Sequence, residues 1–270
     1  MSKKINIEKE IIVSIFEKSH SINRTAKELG ISWDACARIL KEYGIETQPK
    51  SGSVDPYNLF DEIRTEEDAY WLGIMYTDGW IRSDCNKIGL GSVDLDLIQK
   101  WKEYTKTPNK IQVKRKEDLI GKNLPEGRIC RTARDFYTIE FSSKQTKQNL
   151  IALGCVPKKS KILQCPTEQQ VPDKLLWHFF RGCIDGDGWI RYQPRYEIGL
   201  CGTQHFIEVL MTRLKILHYG KLYKNGGLVS YKVYKRELVE KILNKLYKDA
   251  HIYMDRKHNS YLKYIGCSSI

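Results

Sequence analysis

Apolar positions Ile5, Ile7, Ile11, Ile12, Ile15 and Phe16 recur at helical spacing and predict an amphipathic helix over residues 5–17. Two short helices are predicted within residues 21–46. Ala26 and Leu29 mark the first, Gly30 breaks it, Ser32 caps the second, and Ala35, Cys36, Ile39 and Leu40 continue the apolar face. A small residue at the crossing point and a glycine four positions on fit a helix-turn-helix. Ser32, Trp33, Asp34, Ala35 and Arg38 then fall on or near the exposed face of the second helix. Residues 47–58, "TQPKSGSVDPYN", have no apolar period and read as a linker.

Beyond residue 58 the pattern occurs twice. "WLGIMYTDGWIR" at 71–82 is answered by "FRGCIDGDGWIR" at 180–191, a constant spacing of 109 positions. "IGLGSVDLDLIQKWKEYT" at 88 is likewise answered by "IGLCGTQHFIEVLMTRLK" at 198, and basic, β-prone stretches follow in each half. The segment is therefore an internal duplication. Each copy opens as a helix: Thr65 with Asp68 resembles a capping box, and Pro172 suits a first helical turn.

Ala69, Gly73 and Thr77 form one stripe at four-residue spacing, and His178, Gly182 and Gly186 form its counterpart. Glycine inside a helix costs roughly 1 kcal/mol against alanine, so its use needs a reason. Close approach of the two helices supplies one, and it brings Asp78 and Asp187 together at the helix ends. Paired carboxylates beside the negative ends of helix dipoles repel each other. A divalent cation with oxygen ligands relieves that repulsion, and Mg²⁺ acting at a phosphodiester is the expectation.

Composition narrows the partner. Lys and Arg total 45 against 33 acids, a formal net charge of +12, which favours a polyanion. The eight cysteines include no CxxC pair, so reduced thiols are expected in place of disulfides or a zinc site. No apolar run approaches a membrane span, and the charged N-terminus lacks the apolar core of a signal peptide. An intracellular location (cytoplasm, nucleoid or organelle matrix) is expected.

The paired motifs resemble those of the LAGLIDADG homing endonucleases in their single-chain, two-repeat form, over about residues 59–265. Gly182, Ile184, Asp185, Gly186, Asp187 and Gly188 match the motif; the first copy departs at Tyr76, where the family often has an acid, and at Thr77. The resemblance implies an α+β fold: two pseudo-symmetric αββαββα repeats, 59–168 and 169–270, forming a DNA-binding saddle behind a helical module at 1–50 and a linker at 51–58. It implies metal ligation by Asp78 and Asp187 with the backbone carbonyls of Thr77 and Gly186. Asp185 is expected to face a helix terminus and to matter less. Lys159 and Lys257 are implied beside the cleavage site, with Lys161 and Arg256 in reserve.

Ser32, Trp33 and Arg38 are expected to contact DNA from the front module. Lys114, Arg115, Lys116, Arg128, Arg131, Arg134, Arg191, Arg195, Lys221, Lys224 and Lys232 are expected to do so from the saddle strands, and Lys235 from just beyond the last of them. The implied activity is site-specific, Mg²⁺-dependent double-strand cleavage by a monomer, with Mn²⁺ substituting and Ca²⁺ binding without cleavage. Other readings are a catalytically silent DNA-binding regulator and an intron RNA maturase. Retention of both acids argues for cleavage.

Overall fold

The structure is a computed structural model that describes residues 7–19, 21–45, 59–121 and 134–266. The chain divides into two compact units, Met1–Ser51 and Gly52–Ile270. The linker at 51–58 lies outside the described residues.

In the first unit, α1 (Lys9–Ser19), α2 (Ile22–Glu28) and α3 (Trp33–Glu42) close over Ile12, Ile22, Ala26, Cys36, Ile39 and Leu40. Gly30 ends α2 at φ +64°, where the Ile31 N–H donates to Ala26 O and the Gly30 N–H to Lys27 O. That left-handed cap suits glycine, which has no Cβ to clash. Ser32 Oγ then accepts from the Ala35 N–H at 3.2 Å and starts α3. The first helix begins later than its apolar pattern suggested, at Lys9.

Among the described residues the two halves of the second unit share the order helix, two strands, helix, two strands, helix. A short extra helix lies between the last two strands of the first half, and an extra helix ends the second. The first half runs α4 (Glu66–Tyr76), β1 (Gly79–Ile81), β2 (Lys87–Ser92), α5 (Leu95–Thr105), β3 (Gln112–Lys114), the short α6 (Lys116–Leu119), β4 (Phe136–Ser142) and α7 (Lys144–Ala152). The second runs α8 (Leu176–Gly186), β5 (Trp189–Arg191), β6 (Glu197–Gly202), α9 (Gln204–Arg213), β7 (Lys221–Asn225), β8 (Leu228–Val233), α10 (Arg236–Tyr247) and α11 (Asp255–Gly266). Each half forms a four-stranded antiparallel sheet with the same strand order, β1-β2-β4-β3 and β5-β6-β8-β7. The fold is α+β with duplicated sheets.

Alternation along the strands gives each sheet a core face and an open face. Ile88, Leu90, Ile139 and Phe141 are buried in one sheet, and Ile198, Leu200, Tyr231 and Val233 in the other. On each open face a tryptophan lies over a strand glycine: a Cβ at Gly89 would enter the Trp80 ring, and one at Gly199 the Trp189 ring. The indole N–H of Trp80 donates to Glu140 at 3.2 Å, and that of Trp189 to Glu197 at 2.6 Å.

The helices α4 and α8 pack directly on each other through the centre of this unit. The capping box starts α4, with Asp68 N–H donating to Thr65 Oγ1 at 3.1 Å and Thr65 N–H to Asp68 Oδ2 at 3.0 Å. Pro172 precedes a 3-10 turn, Asp173–Leu175, that leads into α8. At the contact a Cβ on Gly73 would sit on the Phe179 carbonyl and 3.0 Å from Gly182 Cα. One on Gly182 would likewise meet Tyr70 O and lie 2.9 Å from Ile74 N, so backbone touches backbone. This is the close approach that the glycines permit.

Candidate cleavage site

The contact between α4 and α8 continues to their C-terminal ends, where a Cβ on Gly186 would run into the Thr77 side chain. Asp78 and Asp187 follow immediately. Asp78 is half-buried and its carboxyl is pushed up to about 6, first by burial and then by the charge of Asp187; Lys257 and Lys159 oppose the shift. Asp187 is more open to solvent and is also raised by desolvation, again against Lys159 and Lys257. Of two repelling carboxylates, the more enclosed keeps its proton to higher pH, so the repulsion is expressed on Asp78.

Both lysines are buried. Lys159 lies in a 3-10 turn, Lys159–Lys161, and its Nζ donates to Gly79 O at 2.5 Å. Lys257, on α11, donates to Gly188 O at 2.5 Å and to Ile184 O at 2.6 Å. Gly79 and Gly188 are equivalent positions, each just past its aspartate, so the lysine arrangement is duplicated too. Burial lowers the Lys257 ammonium to about 8 against the opposing charge of Asp185. The reserve residues are engaged otherwise or exposed: Arg256 makes a bidentate bond to Asp94 at 2.9–3.2 Å, and Lys161 is on the surface.

Asp185 is fully buried and faces the start of α11, accepting from Tyr247 Oη at 2.5 Å, Met254 N at 2.7 Å and Tyr70 Oη at 2.9 Å. Desolvation raises its carboxyl, and these three donors work against that rise. Beside it Arg181, also buried, donates to Glu66 Oε1 at 2.5 Å, Leu246 O at 2.8 Å and Ile252 O at 2.8 Å. This polar network ties α4 to α8 and α10. Its partners lie far apart in sequence, and no local pattern marks them.

Among the described residues no group of three or more His, Cys, Asp or Glu side chains could hold a metal ion. The two aspartates can supply two hard oxygen ligands, leaving backbone carbonyls such as those of Thr77 and Gly186, water and a phosphate to complete a Mg²⁺ shell. Asp78 is raised by burial and then by the neighbouring Asp187 carboxylate, and a pair of adjacent carboxylates with free oxygen ligands fits a divalent cation.

The basic residues expected on the strands do not all share one face. Lys114 is exposed at the end of β3, but Arg115 and Lys116 leave the strand. Arg115 donates to Asp135 Oδ2 at 2.7 Å, and Lys116 opens α6 with its backbone N–H on Asp135 Oδ1 at 2.9 Å. A helix start with an acid accepting its first amide outweighs the β pattern there. Arg128 and Arg131 lie outside the described residues, and Arg134 is exposed just before β4.

In the second sheet Lys221 and Lys232 are cross-strand partners on the open face. Lys224 pairs with Val229, in phase with buried Tyr231, and so belongs to the opposite face. Lys232 lies 5.7 Å from the Trp189 ring and 5.1 Å from that of Tyr223. Arg191 and Arg195 approach Glu197 Oε2 at 3.8 and 3.4 Å, and Lys235 is an exposed N-cap of α10. In the first unit Ser32 is spent on capping and Trp33 is half-buried. Arg38 is exposed, 3.1 Å from Glu42.

No helix among the described residues is long and apolar enough to cross a membrane. No family model matches the chain, and no curated protein matches it. Among solved structures, the meganuclease I-SmaMI bound to uncleaveable DNA is similar at 10% identity, over 73% of this chain and 88% of that one, with a TM-score of 0.46. The LAGLIDADG meganuclease I-AabMI bound to uncleaved DNA is similar at 12% identity, over 74% and 89%, with a TM-score of 0.45. Full-length DUF199/WhiA from Thermatoga maritima is similar at 11% identity, over 78% and 65%, with a TM-score of 0.46. Likeness at this level carries no argument about chemistry, which rests on this chain's own residues.

Proposed function

We propose that the protein is a site-specific, divalent-metal-dependent DNA endonuclease that cuts both strands of its target. The observation that carries this reading is the juxtaposition of Asp78 and Asp187 by a glycine-mediated helix contact, with a buried lysine held beside each. A protein that only bound DNA would gain nothing from holding two mutually repelling carboxylates together, one of them raised to about 6.

Asp78 and Asp187 would hold Mg²⁺, with Mn²⁺ able to replace it. When bound, the metal supplies Lewis-acid stabilisation of phosphate charge and a more acidic water. Lys159 and Lys257 each keep at least one ammonium proton beyond the carbonyl bonds described, since an ammonium has three donors. Such a proton can orient water or stabilise charge developing on a phosphate oxygen. The open sheet faces, with Lys114, Lys221 and Lys232, and the exposed arginines around them are the proposed DNA surface. Phosphate contacts there fix register, and base contacts fix sequence. The α2–turn–α3 unit is proposed as a second DNA contact of helix-turn-helix type, and one chain carrying both aspartates suffices as a monomer.

The test is incubation with a random duplex library in Mg²⁺ and in EDTA, followed by sequencing of new ends. Recurrent ends around one sequence, found only with Mg²⁺, are expected. Enrichment of a bound sequence that is never cut would replace this reading with that of a regulator, and absence of both would refute it.

A further inference from the structure

The residue two positions before each aspartate differs between the repeats, Tyr76 in one and Asp185 in the other. Chemically the two are unlike, and at equivalent positions in a duplicated motif that calls for an account. Both are buried and both reach the same destination: the segment that carries the lysine of their own repeat.

Tyr76 Oη donates to Leu153 O at 2.5 Å, six residues ahead of Lys159. Gly154, at φ +91°, leaves the room this needs, because a Cβ there would meet the Tyr76 hydroxyl. Beside it Cys155 Sγ donates to Met75 O at 3.2 Å. Asp185 Oδ2 accepts from Met254 N at 2.7 Å, three residues ahead of Lys257, and the Lys257 N–H in turn donates to Met254 O at 3.0 Å. The polarity is reversed, phenol to carbonyl in one repeat and amide to carboxylate in the other. The connection, from the motif helix to the lysine segment, is the same.

We propose that Tyr76 and Asp185 are paired positioning residues, each fixing the lysine of its own repeat against the backbone carbonyl that follows the repeat's aspartate. The proposal rests on the reading of Lys159 and Lys257 as members of the cleavage site, but the geometry can be tested without DNA or metal. Each lysine is fixed separately, so its anchor can be removed without disturbing the other.

The experiment is amine acylation of the full chain at fixed pH in EDTA, with the labelling rate of each lysine read by peptide mass spectrometry. Tyr76→Phe keeps the ring and removes only the hydroxyl. It is expected to speed labelling of Lys159 by about three- to tenfold, the factor that one lost hydrogen bond of ordinary strength supplies, and to leave Lys257 unchanged. Asp185→Leu, which removes the acceptor for the Met254 N–H, is expected to do the converse. If Asp185→Leu does not fold, Tyr76→Phe alone decides, by whether labelling of Lys159 rises selectively over that of Lys257.

Unchanged rates for both lysines, or an equal rise at both, would overturn the proposal; an equal rise is what general loosening produces. On any duplex the protein cuts, Tyr76→Phe should slow one strand and Asp185→Leu the other at saturating protein. Should no DNA be cut, the labelling pattern still decides the positioning role, while the nuclease reading fails separately.

Discussion

Asp78 is the residue on which the cost of the arrangement falls. Its carboxyl is raised to about 6 in the folded protein, against about 3.9 in an unfolded chain. The neutral form is favoured by folding, so its stabilising effect is complete below about pH 4 and is lost as pH rises through 6. Metal-free wild type is therefore expected to lose stability across that window relative to Asp78→Asn. The gap at pH 8 should be on the order of 1–3 kcal/mol in denaturant titrations, and equal stability of both proteins throughout would contradict the account. The lysines make the opposite case. Neither is a surface charge, so Lys159→Met and Lys257→Met leave buried carbonyls without donors and are expected to cost about 1–3 kcal/mol of stability each. In single-turnover cleavage each should be slower by about 10²–10³. A wild-type rate in both would remove them from the site.

At the scale of elements, the contact between α4 and α8 governs everything else. Gly73→Ala puts a methyl group on the Phe179 carbonyl and Gly182→Ala one on the Tyr70 carbonyl. Backbone cannot yield as a flexible side chain can, so each should cost at least about 1–3 kcal/mol and separate the two aspartates. Loss of cleavage together with a lowered melting temperature is expected; cleavage at the wild-type rate would mean that the close contact is not required. Much of this contact was legible in the sequence, because duplication repeats the glycine stripe, the aspartates and the following "GWIR" at one constant spacing. The capping box at Thr65 was legible as well, being a local pattern. What was not legible depends on partners distant in the chain. The donors to Asp185 come from α4, α10 and the start of α11, and Arg181 is satisfied by Glu66 and two backbone carbonyls. The basic run at residues 110–116 is β-prone in sequence, but Asp135, distant in the chain, accepts the Lys116 N–H and a helix starts there.

At the scale of the whole molecule, the chain joins a small helical unit to a duplicated α+β unit with its own core. If the front unit binds DNA, removing residues 1–50 should weaken target affinity and reduce the slope of log affinity against log salt, because phosphate contacts are lost. The remaining unit should fold and cut at higher concentration. Identical affinity and salt slope for the shortened protein would exclude the front unit from DNA binding. The central claim, that one carboxylate from each repeat builds a single double-strand-cutting site, is tested most directly by mapping the ends left on both strands of a cut target in Mg²⁺. Wild type, Asp78→Asn and Asp187→Asn should be compared at equal DNA occupancy. The account predicts ends on both strands for wild type and no double-strand cut for either variant, with binding retained. Undiminished cutting of both strands by the two variants would contradict it.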